Sequence, residues 1–224
     1  MIFKVASVDS LVIYFGNEIN EQISKKVQKA YLSLKNQNIE GLIEIIPSYT
    51  TIFISYDIFK YDYNTLVELL RKSIDLEFED NSSKDIINID VYYGEEVGLD
   101  LRNMSLKTNL SIEEIIQIHS QKIYDVYAIG FAPGFAFMAS VDKQIAMPRL
   151  ISPRKSVPKG SVGIADTQTA VYPQSSPGGW NIIGRTAMEL FDKSLKQLSP
   201  LSVGHRVKFN AISKKEFLIQ GGVI

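Results

Sequence analysis

SIEEIIQIHSQKIYDVYAIGFAPGFAFM, residues 111–138, contains the change of pattern that organises this chain. Its first part is helical: Ile112, Ile115, Ile116 and His119 share one face, and Ser111 with Glu114 three residues later forms a capping box. From Lys122 onward the chain turns into short β-rich pieces punctuated by Gly and Pro, with little room for another long helix. The second half is therefore expected to be a β-barrel or sandwich.

Working back toward the N-terminus, the pattern is mixed. Residues 2–8 and 11–16 read as β-runs around an Asp9-Ser10 turn, and Ile23, Val27, Ala30, Tyr31 and Leu34 then lie on one helical face. GLIEIIP and TTIFISYD read as strands joined through Pro47-Ser48-Tyr49. A second helix over 62–75 carries the stripe Tyr63, Val67, Leu70 and Ile74. EFEDNSSKD is expected to be a loop before the strand IINIDVYYG. The order β, α, β, β, α, β with an extra N-terminal hairpin predicts a ferredoxin-like α+β domain over residues 1–94, leaving 95–224 for the β-rich domain.

Composition excludes several classes of function. With 24 basic and 25 acidic residues, no global field recommends a nucleic acid or an anionic membrane as partner, so anion recognition must be local. The absence of cysteine removes disulfides and thiolates, and His119 and His205 are the only histidines, so no metal site is expected. MIFKVASVDSLVIYFG lacks the basic start and continuous apolar run of a signal peptide, and no apolar stretch approaches the ~20 residues that span a bilayer. A cytoplasmic location is the expectation. Neither common nucleotide motif occurs, and nucleophile-elbow and zincin patterns are absent.

What remains lies between residues 127 and 186. In GFAPGFAFM, two Gly-Phe pairs flank Pro133, so the segment Phe131, Pro133, Gly134, Phe135 can present aromatic faces; Phe131, Phe135 and Phe137 could equally fill a barrel interior. In MPRLISPRKSVPKGS, Arg149 and Arg154 each follow a proline. Such pre-positioned guanidinium groups suit bidentate carboxylate or phosphate recognition, although a solvated basic loop reads the same way. QSSPGGW holds the only tryptophan, Trp180: Pro177-Gly178 suits a type II turn with φ > 0 at Gly178, and Gly179 permits close approach. Trp180 is either a core residue or the wall of a pocket. His119, on an apolar face, is either a satisfied core residue or a general acid or base. NIIGRT ends with Gly184-Arg185-Thr186, another cation at an expected turn.

GFAPGFAFM and PRLISPRKSVPKGSVGIADTQTAVYPQSSPGGWNIIGRT, with YYGEEVGLDL and His119 upstream, resemble the B subunit of bacterial ATP-dependent 5-oxoprolinases. That family is also labelled allophanate hydrolase subunit 1 and sporulation kinase inhibitor. The resemblance implies a cyclophilin-like β-barrel after the N-terminal domain, and partnership with the C and A subunits of 5-oxoprolinase in cleaving 5-oxo-L-proline to L-glutamate with ATP hydrolysis. ATP is then expected to be bound by the complex, since this chain has no nucleotide motif. On the matching positions it implies Arg149, Arg154, Gln168, Tyr172, Gly178, Gly179, Trp180 and Arg185 as substrate-binding residues and His119 as proton carrier. Other implied roles are inhibition of a sporulation histidine kinase and one half of a urea-carboxylase-type carboxyltransferase. One departure is YYGEEVGLDL, where Glu95 and Val97 replace an expected glycine and aromatic residue.

Overall fold

In the first part of the chain β1 (Ile2–Ser7) and β2 (Ser10–Tyr14) form a hairpin, followed by α1 (Glu21–Gln37), β3 (Leu42–Pro47), β4 (Thr51–Tyr56) and α2 (Tyr63–Ser73). The computed structural model describes residues 1–78 and 86–224 and divides the chain into two units, Met1–Ser83 and Lys84–Ile224. The helix starts are chemically marked: the Asn20 and Asp62 side chains accept the Ile23 and Thr65 amides, each at 2.9 Å. Asn38, left-handed at φ 44°, ends α1. The stripes expected on both helices bury, with Leu66 added, against Leu11, Ile13, Ile52 and Ile54 of the sheet. The sheet is antiparallel throughout in the order β1-β2-β4-β3.

The second unit contains β5 (Ile86–Tyr92), α3 (Leu101–Thr108), α4 (Ile112–Gln121), β6 (Ile123–Ile129), β7 (Ala136–Ala139), β8 (Arg154–Val157), β9 (Ser161–Ala165), β10 (Gln168–Val171), β11 (Ser176–Gly178), β12 (Asn181–Arg185), β13 (Arg206–Ile212) and α5 (Lys214–Ile219). Seven strands close a barrel in the order β10-β7-β6-β13-β5-β12-β9, while β8 and β11 pair separately as a two-stranded sheet. The cyclophilin-like half of the expected fold is present as this barrel. Its interior is filled by Ile89, Val91, Tyr124, Val126, Met138, Val162, Ile164, Val171, Ile183, Val207 and Phe209. α4 starts at the expected capping box, Ser111 with Glu114.

Two expectations are corrected. IINIDVYYG does not complete the N-terminal sheet; as β5 it pairs in parallel with β13 along its whole length, Ile86 opposite Arg206 through Tyr92 opposite Ile212. The place beside β2 that a ferredoxin-like sheet gives its last strand is taken by β1. The first unit is therefore a four-stranded antiparallel sheet under two helices rather than a ferredoxin-like domain, and the units divide near residue 83, not 94. The reason is pairing at long range, which the local strand pattern does not encode. Helix α3 was not expected; it is short, with only Leu101 and Met104 buried, and left-handed Asn109 stops it. The loop expected over 77–85 falls mostly outside the described residues. No helix among the described residues is long and apolar enough to cross a membrane.

Candidate functional site

Strand alternation sends one set of side chains into the barrel and the next outward. On neighbouring strands β12, β9, β10 and β7 the outward set includes Ile182, Ala165, Ala170 and Phe137, and on them sits a second apolar cluster built from Phe135, Val157, Tyr172 and Trp180. Phe135 meets two rings edge to face, Tyr172 at 5.2 Å and 89° and Trp180 at 5.8 Å and 88°, and Phe137 lies tilted against Trp180 at 5.9 Å and 57°. Trp180 is only 4% exposed, so it is a core residue of this outer cluster. One face of the indole is nevertheless addressed from outside, because the exposed Arg149 guanidinium lies over the ring at 5.9 Å. Of the two readings of Trp180, the structure shows the core one, with Arg149 as its outer contact.

The β6–β7 bend supplies a further aromatic. Phe131 is 68% exposed with φ 70°, a left-handed conformation uncommon for a residue with a side chain, and its ring meets Phe135 edge-on at 5.3 Å. Gly134 carries φ 81°, and a Cβ there would stand 2.3 Å from the Leu190 carbonyl oxygen, so the bend requires glycine. Pro133 is exposed between them.

SPGGW is not the turn expected of it. Ser176–Gly178 is strand β11, with Gly178 opposite Arg154 of β8, and neither Gly178 nor Gly179 is among the residues with positive φ. Gly178 is required for another reason: a Cβ would stand 2.3 Å from the Tyr172 hydroxyl oxygen. Gly179 accepts the Leu150 amide at 2.7 Å, and the buried Asn181 side chain donates to the Pro148 carbonyl at 2.9 Å and the Ile164 carbonyl at 3.1 Å. These bonds hold the loop carrying Arg149 against the barrel. Burial raises the Tyr172 phenol above its usual range. Gln168, half-buried at the start of β10, is on the same side of that strand as Ala170.

Three expected residues behave differently. His119 is fully buried inside the barrel: Nδ1 lies 2.8 Å from the Tyr93 hydroxyl, Nε2 2.9 Å from Thr169 Oγ1, and the ring stacks on Phe209 at 4.7 Å. Burial lowers its pKa to about 3. The proton-carrier assignment is therefore corrected: a neutral imidazole with both nitrogens occupied and no exposed surface is a structural residue. Arg185 is 8% exposed and donates from Nη1 to the Val223 carbonyl at 2.8 Å, so it anchors the C-terminal segment and does not join Arg149. Arg154 does join the cluster, but already ion-paired: Nη2 lies 2.7 Å from Asp100 Oδ1, with the arginine side chain 25% exposed.

Asp100 and Asn181 were missed in the sequence. Nothing local distinguishes Asp100 in GLDL from a helix-starting aspartate, or Asn181 from any strand asparagine. In the loop that departs from the family pattern, the side chains have structural partners: Val97 is buried, and Glu96 accepts from Lys214 and from Tyr92, each at 2.9 Å. The Lys214 contact chiefly holds the Glu96 carboxyl down to about 2. Among the described residues no group of His, Cys, Asp and Glu could hold a metal ion.

Residues 1–201 match the family model described as carboxyltransferase domain, subdomain C and D. The chain is 39% identical over 219 residues to the 5-oxoprolinase B subunit of Bacillus subtilis, covering 93% of this chain and 91% of that one. It is 39% identical over 174 residues to the 5-oxoprolinase B subunit of Haemophilus influenzae, covering 77% and 81%. The crystal structure of TTHA0988 superposes with a TM-score of 0.82 at 30% identity, over 91% of this chain but only 40% of that longer one. The chain belongs to the family of 5-oxoprolinase B subunits.

Proposed function

We propose that this chain is the B subunit of an ATP-dependent 5-oxoprolinase that works with the A and C subunits, and that its outer aromatic face recognises 5-oxo-L-proline. The observation that carries the reading is Arg149 poised over Trp180 in a chain whose full-length relatives are named as 5-oxoprolinase B subunits. The substrate is a small lactam bearing one carboxylate. Arg149 offers a guanidinium fork to that carboxylate, and among the described residues it has no ion-pair partner of its own. The aromatic rings beside it offer apolar surface to the ring methylenes. An unstrained amide needs activation before water can attack, and ATP bound elsewhere in the complex would supply it. The role left to this chain is binding and orientation.

Reconstitution tests the reading. Co-expression with the A and C subunits should give ATP-dependent release of glutamate from 5-oxoproline, and turnover undiminished by omitting this chain would sink it. Arg149→Ala should raise KM for 5-oxoproline about tenfold or more with assembly intact, and Arg149→Lys should restore binding only in part because it lacks the planar fork. A second reading, carboxyl transfer, is favoured by the description of the matching family model. Carboxylation of substrate dependent on a biotin carrier, without glutamate release, would select it.

A further inference from the structure

Asp100 occupies the N-cap position of α3, where an aspartate ordinarily accepts the amides of the first helical turn, yet its side chain makes no such bond. Its carboxylate is instead spent elsewhere. Oδ1 accepts Arg154 Nη2 at 2.7 Å and Oδ2 accepts the Ile182 amide at 2.6 Å, while the Asp100 amide donates to the Ile182 carbonyl at 2.8 Å. Arg154 is the first residue of β8, stands opposite Gly178 in the two-stranded sheet, and reaches the Trp180 carbonyl from Nη1 at 3.5 Å. A single buried carboxylate, 4% exposed, thus joins the start of α3, the β8–β11 pair and the strand that begins just after Trp180.

We propose that Asp100 is a positioning residue for the Arg149–Trp180 face. It holds the β8–β11 pair onto the barrel through Arg154, and it neutralises Arg154 so that Arg149 is the cation offered to an anionic ligand. A buried carboxylate needs its partners, and removing either side leaves the other charge without compensation. The link to substrate rests on the proposed function; the link to Trp180 does not.

Trp180 is the only tryptophan, so its fluorescence reports on this face alone. In the full-length chain Asp100→Asn and Arg154→Met should each increase acrylamide quenching of Trp180, by about twofold, and the double variant should fall well short of the sum of the single effects because both remove the Asp100–Arg154 contact. Unchanged quenching in both singles, or effects that add in the double, would overturn the proposal. Should Asp100→Asn lose its cooperative unfolding transition, Arg154→Lys serves instead: it keeps a charge for Asp100 but loses the bond to the Trp180 carbonyl, and it too should increase quenching. In the reconstituted complex Asp100→Asn should raise KM for 5-oxoproline about tenfold with kcat changed far less, the split that misplacement of a binding group predicts and simple loss of folded protein does not. If Arg149→Ala raises KM and Asp100→Asn does not, the positioning role is wrong. If Arg149→Ala leaves KM unchanged while quenching responds to Asp100→Asn as expected, the substrate assignment fails and the clamp stands.

Discussion

His119 shows how burial decides the chemistry of a residue. In the unfolded chain its pKa is near 6.5, and in the fold burial lowers it to about 3. As pH falls below about 6.5 the unfolded chain takes up a proton that the folded chain refuses, so the stabilisation is complete above that value and is lost toward pH 3. Between pH 6.5 and 4 the loss attributable to this group is roughly 3 kcal/mol. His119→Gln should be less stable than the parent at pH 7, and the gap should narrow as pH is lowered to 4. Denaturant titrations at several pH values check this, and a gap independent of pH would contradict it. The sequence placed His119 on an apolar helix face and left two roles open. What closed the choice was Tyr93 and Thr169, which are 26 and 50 residues away along the chain.

At the scale of elements, β11 is the instructive segment. Pro177-Gly178 has the composition of a turn, yet pairing with β8 draws it into a strand, and the need for glycine comes from Tyr172 packing against its Cα. Gly178→Ala should destabilise by about 1–3 kcal/mol through overpacking, and Tyr172→Phe in the same chain should recover part of the loss by removing the oxygen nearest the new methyl. Thermal unfolding of the two variants measures it; no recovery would place the strain elsewhere. The helices were easier to read. α1, α2 and α4 begin at Asn20, Asp62 and Ser111, caps whose chemistry acts within three residues, and their apolar stripes follow the helical period. α3 escaped because two buried residues over eight make too little pattern to see.

For the whole molecule, the decisive pairing is β5 with β13, residues more than a hundred positions apart that complete the barrel. A fragment starting at residue 95, where the local pattern put the boundary, lacks β5 and leaves both β13 and β12 with an open edge. It should fail to fold cooperatively, whereas a fragment over 84–224 should show a cooperative transition; equal behaviour of the two would refute the assignment of β5. By itself the sequence determined helices α1, α2 and α4, the β-rich character of the second half, the Gly-Phe bend, the Pro-Arg loop and the family. These features are written in short-range terms, through caps, periods and turn residues, or in a long specific motif. Only the tertiary structure decided where β5 pairs, that His119 and Arg185 are buried away from the outer face, and that Asp100 has claimed Arg154 and left Arg149 exposed. Strand partners, burial and ion pairing depend on residues far apart in the chain, and no local pattern specifies which distant groups will meet.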